Sequence, residues 1–193
     1  LGNVAANSDS SDSSDTGDFT ATAATEDITA TGTISTTGNL DLTASSGDIT
    51  QTAGSITAEG TTSLTAADDI SLAQTGNNFA GTVNASGNDI ALTDSNGITL
   101  GNVAANSDSS DSSDTGDLTA TADTGDITAT GTISTTGDLS LTASSGDITQ
   151  TAGSITAAGT TSLTAADDIS LLQTDNNFAG TGNASGNDIA LTD

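Results

Sequence analysis

The stretch Glu26-Asp27-Ile28-Thr29-Ala30-Thr31-Gly32-Thr33-Ile34-Ser35-Thr36-Thr37-Gly38-Asn39-Leu40-Asp41-Leu42-Thr43-Ala44-Ser45-Ser46 decides the fold. It holds three short apolar runs, Asp-Ile-Thr-Ala, Gly-Thr-Ile-Ser and Leu-Asp-Leu-Thr-Ala, divided by Gly, Asn, Ser and Thr. Apolar residues alternate with hydroxylated ones, which is the period of a strand and not of a helix. Three strands of three to five residues with turns between them make one turn of a solenoid. Gly47–Ala67 repeats the plan with Asp-Ile-Thr-Gln, Gly-Ser-Ile-Thr and Ser-Leu-Thr-Ala.

Working outward, the pair Asp-Ile marks each unit. It occurs at Asp27-Ile28, Asp48-Ile49, Asp69-Ile70 and Asp89-Ile90, and again at Asp126-Ile127, Asp147-Ile148, Asp168-Ile169 and Asp188-Ile189. The steps are 21, 21 and 20 residues, then 37, then the same series again. This sits inside a longer repeat: residues 1–94 overlay residues 100–193 at an offset of 99 and differ at nine positions, among them Phe19/Leu118, Asp41/Ser140 and Val83/Gly182. A binding or catalytic site is normally built once, so faithful duplication suits a chain that needs length or a periodic surface.

The expected fold is all-β, a parallel β-solenoid with three strands per coil and about 20–21 residues per coil. Residues 1–99 form repeat one with an acidic Ser/Asp loop at 6–16, residues 100–193 form repeat two with its loop at 105–115, and the two are read as one continuous solenoid. Stacking predicts three inward columns. The first is Ile28, Ile49, Ile70, Ile90, Ile127, Ile148, Ile169 and Ile189; the second is Ile34, Ile56, Phe79, Ile98, Ile133, Ile155 and Phe178. The third is Leu42, Leu64, Val83, Leu118, Leu141 and Leu163, with Gly182 where Val83 had filled a place. Gln51 and Gln150 fall at an inward register and are read as a hydrogen-bonded corner. With four rungs per block, the loops are expected to line up along one side, about 19 Å apart.

Composition removes whole classes of function. The chain has 26 acidic residues and no Lys, Arg, His, Cys, Pro, Met, Trp or Tyr. No internal salt bridge can form, and phosphate recognition lacks its cations, so nucleic acid and anionic membranes are not expected partners. No stretch approaches the roughly 18 apolar residues of a membrane helix, so no membrane insertion is expected. The sequence shows no signal peptide and its ends cut the repeat, so it reads as a segment of a longer chain. Without His, Lys, Cys, Tyr or Arg there is no usual base, nucleophile or anion holder, and an enzyme is not expected.

The units Gly47-Asp48-Ile49-Thr50-Gln51-Thr52-Ala53-Gly54-Ser55-Ile56 and Gly137-Asp138-Leu139-Ser140-Leu141-Thr142-Ala143 resemble the repeat regions of filamentous-haemagglutinin-like bacterial surface adhesins. The resemblance is one of repeat style and covers nearly the whole chain except the Ser/Asp loops. It implies a right-handed parallel β-helix, an extracellular or cell-surface location and a role as a long stalk or adhesive fibre. Expected partners are neighbouring copies or further repeats of the same chain, since an uncapped solenoid end presents unpaired N–H and C=O groups and would let such chains polymerise into a filament, and host or cell-surface ligands through regions beyond this one.

Two carboxylate arrays are candidate sites. The Asp of each Asp-Ile pair stacks at the coil spacing, either as a column that cations would neutralise or as a set of acceptors for backbone N–H groups. In the loops, Asp9, Asp12, Asp15 and Asp18 recur every three residues, repeated as Asp108, Asp111, Asp114 and Asp117. Oxygen-only ligands with intervening Ser suit Ca²⁺, although the order is not that of an EF-hand. Ca²⁺ is therefore the one candidate cofactor, and a solvated acidic loop is the alternative. Thr29/Thr31 and Thr50/Thr52 raise a remote ice-binding reading, interrupted at Ser71/Ala73 and Ala91/Thr93. Asn84-Ala85-Ser86 and Asn183-Ala184-Ser185 match the glycosylation sequon.

Overall fold

Alternation of apolar and hydroxylated residues leaves each short segment with one face to bury, and parallel stacking of like segments buries them all in one interior. The computed structural model describes residues 1–6, 16–107 and 115–193. In the first block the strands are β1 (Val4–Ala6), β2 (Phe19–Ala23), β3 (Ile28–Ala30), β4 (Ile34–Thr36), β5 (Leu40–Ala44), β6 (Ile49–Gln51) and β7 (Ile56–Ala58). They continue as β8 (Thr62–Ala66), β9 (Ile70–Leu72), β10 (Asn78–Phe79), β11 (Thr82–Gly87), β12 (Ile90–Asp94) and β13 (Ile98–Ala105). The second block contains β14 (Leu118–Ala122), β15 (Ile127–Ala129), β16 (Ile133–Thr135), β17 (Leu139–Ala143), β18 (Ile148–Gln150) and β19 (Ile155–Ala157). It ends with β20 (Thr161–Ala165), β21 (Ile169–Leu171), β22 (Asn177–Phe178), β23 (Gly182–Ser185) and β24 (Ile189–Leu191).

The fold is an all-β parallel β-solenoid of about eight turns with three sheets, as the alternation predicts. In the first block, face one is β1-β4-β7-β10, face two is β2-β5-β8-β11 and face three is β3-β6-β9-β12. The interior is filled by Ile, Leu, Val, Ala and Phe79, with most of these side chains fully buried. Each buried Ile or Leu contributes roughly 1.5–3 kcal/mol, which suffices for a narrow core without disulfides.

The expected columns are corrected at the step of 37 residues. Ile90 is followed on its face by Leu118 and Leu139, not by Ile127, because β12 pairs with β14 and β14 with β17. Ile127 stacks instead on Ile98 and leads to Ile148, Ile169 and Ile189. Val83 lies over Thr62 and not over Leu64, which is covered by Ala85. Phe79 lies over Ala58, so the place above Ile56 falls to Asn77. Asn77 follows Ile70 by seven residues, as Ile56 follows Ile49, so the turn before β10 is no longer than the one before β7, and Phe79 is the next inward residue two positions along.

The reason for the change of face is β13. Its first half, Ile98–Leu100, pairs with β15, while its second half, Val103–Ala105, pairs with β16. One continuous strand therefore serves two sides of the coil. A bulge in β13 lets it do so: Gly101 and Asn102 stand against the single residue Asn84 of β11, with Gly101 placed where a Cβ would lie 2.4 Å from the Asn84 side chain. From β2 to its counterpart β14 the chain thus passes thirteen sides, where four full turns would use twelve. Each 99-residue block advances by four and one-third turns, about 21 Å at the coil spacing.

The loop positions are corrected by the same count. Ala6 and Gly17, the flanks of the first loop, sit beneath Thr37 and Gly38 at the corner between faces one and two. Ala105 and Gly116, the flanks of the second, sit beneath Thr136 and Gly137 and above the corner between β11 and β12, on faces two and three. The described flanks of successive loops therefore lie at different corners and not in one line.

Candidate functional site

The Asp-Ile pairs place their carboxylates at the entry to a strand, where a short acceptor can reach the next coil. Asp27 Oδ1 accepts from the Asp48 N–H at 3.0 Å, Asp48 from Asp69 at 3.0 Å, and Asp69 from Asp89 at 3.0 Å. Asp89 accepts from three backbone N–H groups, those of Thr115, Gly116 and Asp117, at 3.2, 2.8 and 2.9 Å. Asp117 Oδ1 then accepts from Asp138, and Asp138 from Thr160, both at 2.6 Å. A second line runs from Asp126 to Asp147, Asp168 and Asp188 at 2.9, 2.8 and 3.1 Å. The array is a carboxylate ladder whose rungs are backbone amides, as the turn chemistry of Asp allows. Asn joins it at equivalent corners: Asn39 accepts from Thr61 at 2.8 Å and Asn102 from Thr132 at 3.0 Å.

Electrostatics along the ladder are those of like charges with no counter-charge in the chain. Burial pushes the Asp69 carboxyl above the ordinary carboxylate range, and the charges of Asp89, Asp48 and Asp68 push it the same way. A shallow cavity of about 340 Å³ follows this edge, lined by Asp69, Asp89 and Asp117 with Ser71, Ala91 and Thr119.

Of the loop carboxylates, Asp18 and Asp117 are described, while Asp9, Asp12, Asp15, Asp108, Asp111 and Asp114 lie outside the described residues. Asp18 Oδ1 accepts from the Asn39 N–H at 2.6 Å. The Thr16 side chain and that amide hold its carboxyl below the usual range. Both described members are thus committed to the next coil's backbone, at different corners, and the fold does not bring them together. Among the described residues, no group of three or more acidic side chains is arranged to hold a metal ion.

Inside the coil, the corner expected at Gln51 is a buried amide pair. Gln51 Nε2 donates to Asn77 Oδ1 at 2.9 Å and Asn77 Nδ2 donates to Gln51 Oε1 at 2.8 Å. Asn77 also accepts from Ile56 N–H at 2.8 Å and donates to the Leu72 carbonyl at 3.1 Å. Gln150 and Asn176 repeat the arrangement. The sequence pointed to the Gln but not to its partner, since Asn77 sits 26 residues away within a turn-like stretch. The recurrence of both residues at the 99-residue offset was the available signal.

Residues 16–86 and 115–185 match the family described as repeats of unknown function (DUF5649). The chain belongs to that family. The two DUF5649 matches run from just before β2 to within β11, and from just before β14 to within β23. Between them lie the end of β11, β12, β13 and the second loop, the part of the block in which the chain changes face. No curated protein and no solved structure matches the chain.

Proposed function

We propose that this DUF5649 chain is a structural rod of the cell exterior, a segment that gives a long repetitive surface protein reach and stiffness and works by shape rather than catalysis. One observation carries the reading. The core, the carboxylate ladder and the buried Gln–Asn pair all recur in both blocks, as in a chain selected for continuation and not for a site built once. The acidic surface supports it, because carboxylates at every coil keep neighbouring rods apart in solution. The resemblance to adhesin repeats supports an extracellular, cell-surface location, with adhesion residing in other regions.

A second reading, a filament subunit, is favoured by the pairing of the two blocks. Leu1–Ala6 repeats Leu100–Ala105, whose strand β13 pairs along β11, and β23 repeats most of β11. Rods stacked end to end would reuse those contacts, with Ca²⁺ bridging acidic loops of neighbouring rods. Electron microscopy of the purified 193-residue chain, with calcium and with a chelator, separates the readings. Discrete short rods in both conditions support the shaft. End-to-end filaments overturn it in favour of the subunit, and their loss on chelation assigns calcium to the junction.

A further inference from the structure

A sheet that stops leaves backbone donors without a strand to receive them. Face one stops at β10, because the following coil runs β12 and β13 onto the other faces. The group that receives the orphan donor is a side chain. Asp94, the last residue of β12, accepts the Phe79 N–H through Oδ2 at 2.7 Å and the Asn96 N–H through Oδ1 at 2.7 Å. The Asn77 carbonyl accepts the Ser95 N–H at 2.7 Å beside it. Asp94 is 0% exposed, the most deeply buried acidic residue among those described. The contact recurs in the second block, where Asp193 accepts the Phe178 N–H at 2.8 Å although it is exposed there. The arrangement therefore forms without the strands that later cover it.

We propose that Asp94 is a latch: its carboxylate stands in for the missing strand on face one and fixes the one-third-turn offset between successive 99-residue blocks. Its surroundings make the latch proton-sensitive. The turn after β14 brings Asp123 to it, whose N–H donates to the Asp94 carbonyl at 2.9 Å, and β10 and residues 95–97 carry no charged side chain. Burial pushes the Asp94 carboxyl above the ordinary range and Asp123 adds to this, against the two N–H groups that favour the anion. A raised value in the folded state means a contribution to stability that is complete below the ordinary carboxylate range and fades as pH rises through the raised one. For this group alone, stability rises as the carboxyl takes up its proton.

The test is amide hydrogen exchange of the whole chain, expressed as protection factors, between about pH 4 and pH 7. Asp94→Ala is expected to lower protection at Phe79 and Asn96 on the order of ten- to a hundredfold, as for loss of a charged acceptor. Amides of β5 should keep theirs. Asp94→Asn retains one acceptor, so it should fall between and lose the pH dependence that the native chain shows at these two amides. Unchanged protection of Phe79 and Asn96 in Asp94→Ala overturns the proposal. If that variant does not fold, Asp193→Ala decides it at the Phe178 amide, where unchanged protection is again the overturning result. Titration of the Asp94 carboxyl carbon in the native chain reads the proton independently, and an ordinary carboxylate midpoint removes the pH sensitivity.

Discussion

A hydroxyl in the wrong place is the smallest departure from the pattern. Thr62 stacks between Leu40 and Val83, is fully buried, and its Oγ1 has no hydrogen-bond partner. Thr62→Val keeps the shape and removes a stranded polar group, so a gain of about 1 kcal/mol is expected in denaturant unfolding. The ladder makes the opposite kind of prediction. Asp48→Ala removes the acceptor for the Asp69 N–H and is expected to cost about 1 kcal/mol. Asp48→Asn keeps an acceptor and deletes a charge stacked between those of Asp27 and Asp69, so it should be neutral or stabilising in the same measurement. A loss in Asn as large as in Ala would show that the charge itself is needed, as a bound cation would require.

At the scale of the strand, the nine differences between the blocks are graded by where they fall. Val83 is fully buried above Thr62 in β11, whereas its counterpart Gly182 lies in the exposed β23 with nothing within 4 Å of a built Cβ. Val83→Gly opens the core and frees the backbone, for an expected loss of about 2–4 kcal/mol. Gly182→Val meets open space beside a cavity of about 300 Å³ and should be tolerated, with no loss of melting temperature. Turns are graded too. Gly54 has φ of +78° and its Cβ would fall 2.3 Å from the Gly32 carbonyl oxygen of the coil below, so Gly54→Ala combines strain with a backbone clash. These elements were legible in the sequence because alternation fixes which side chains turn inward. Register was less so: the run of apolar residues sets Phe79 over Ile56, and only pairing through Asn77 and Ala58 places it.

Across the whole molecule, charge and pH act together. With a net charge of −26 and no basic residue, screening ions relieve repulsion, and so do protons on the carboxyls whose values are raised. Asp69 and Asp94 have carboxyls pushed above the ordinary range, so their contribution is present at low pH and lost as pH rises through the raised values. Asp18 is shifted the other way, but it is fully exposed and weighs little. The expected outcome is a higher unfolding midpoint at about pH 5 than at about pH 7, with the gap narrowed by salt. A midpoint that falls toward pH 5 would mean that carboxylate acceptors in the ladder outweigh repulsion.

The sequence by itself determined the solenoid, its three strands per coil and its apolar interior, because a two-residue period, a turn residue at each corner and near-identical units leave parallel stacking as the way to bury every Ile and Leu. It also indicated Gln51 as a corner and Asp as a strand-entry residue, since both follow from local chemistry. The tertiary structure alone decided the one-third turn. Whether β13 serves one side or two depends on which strands receive Ile98–Leu100 and Val103–Ala105, and no spacing along the chain encodes that pairing. From it follow the broken Ile column, the separated loop corners and the burial of Asp94, because a carboxylate is drawn into the core where a sheet ends and its amides still need an acceptor.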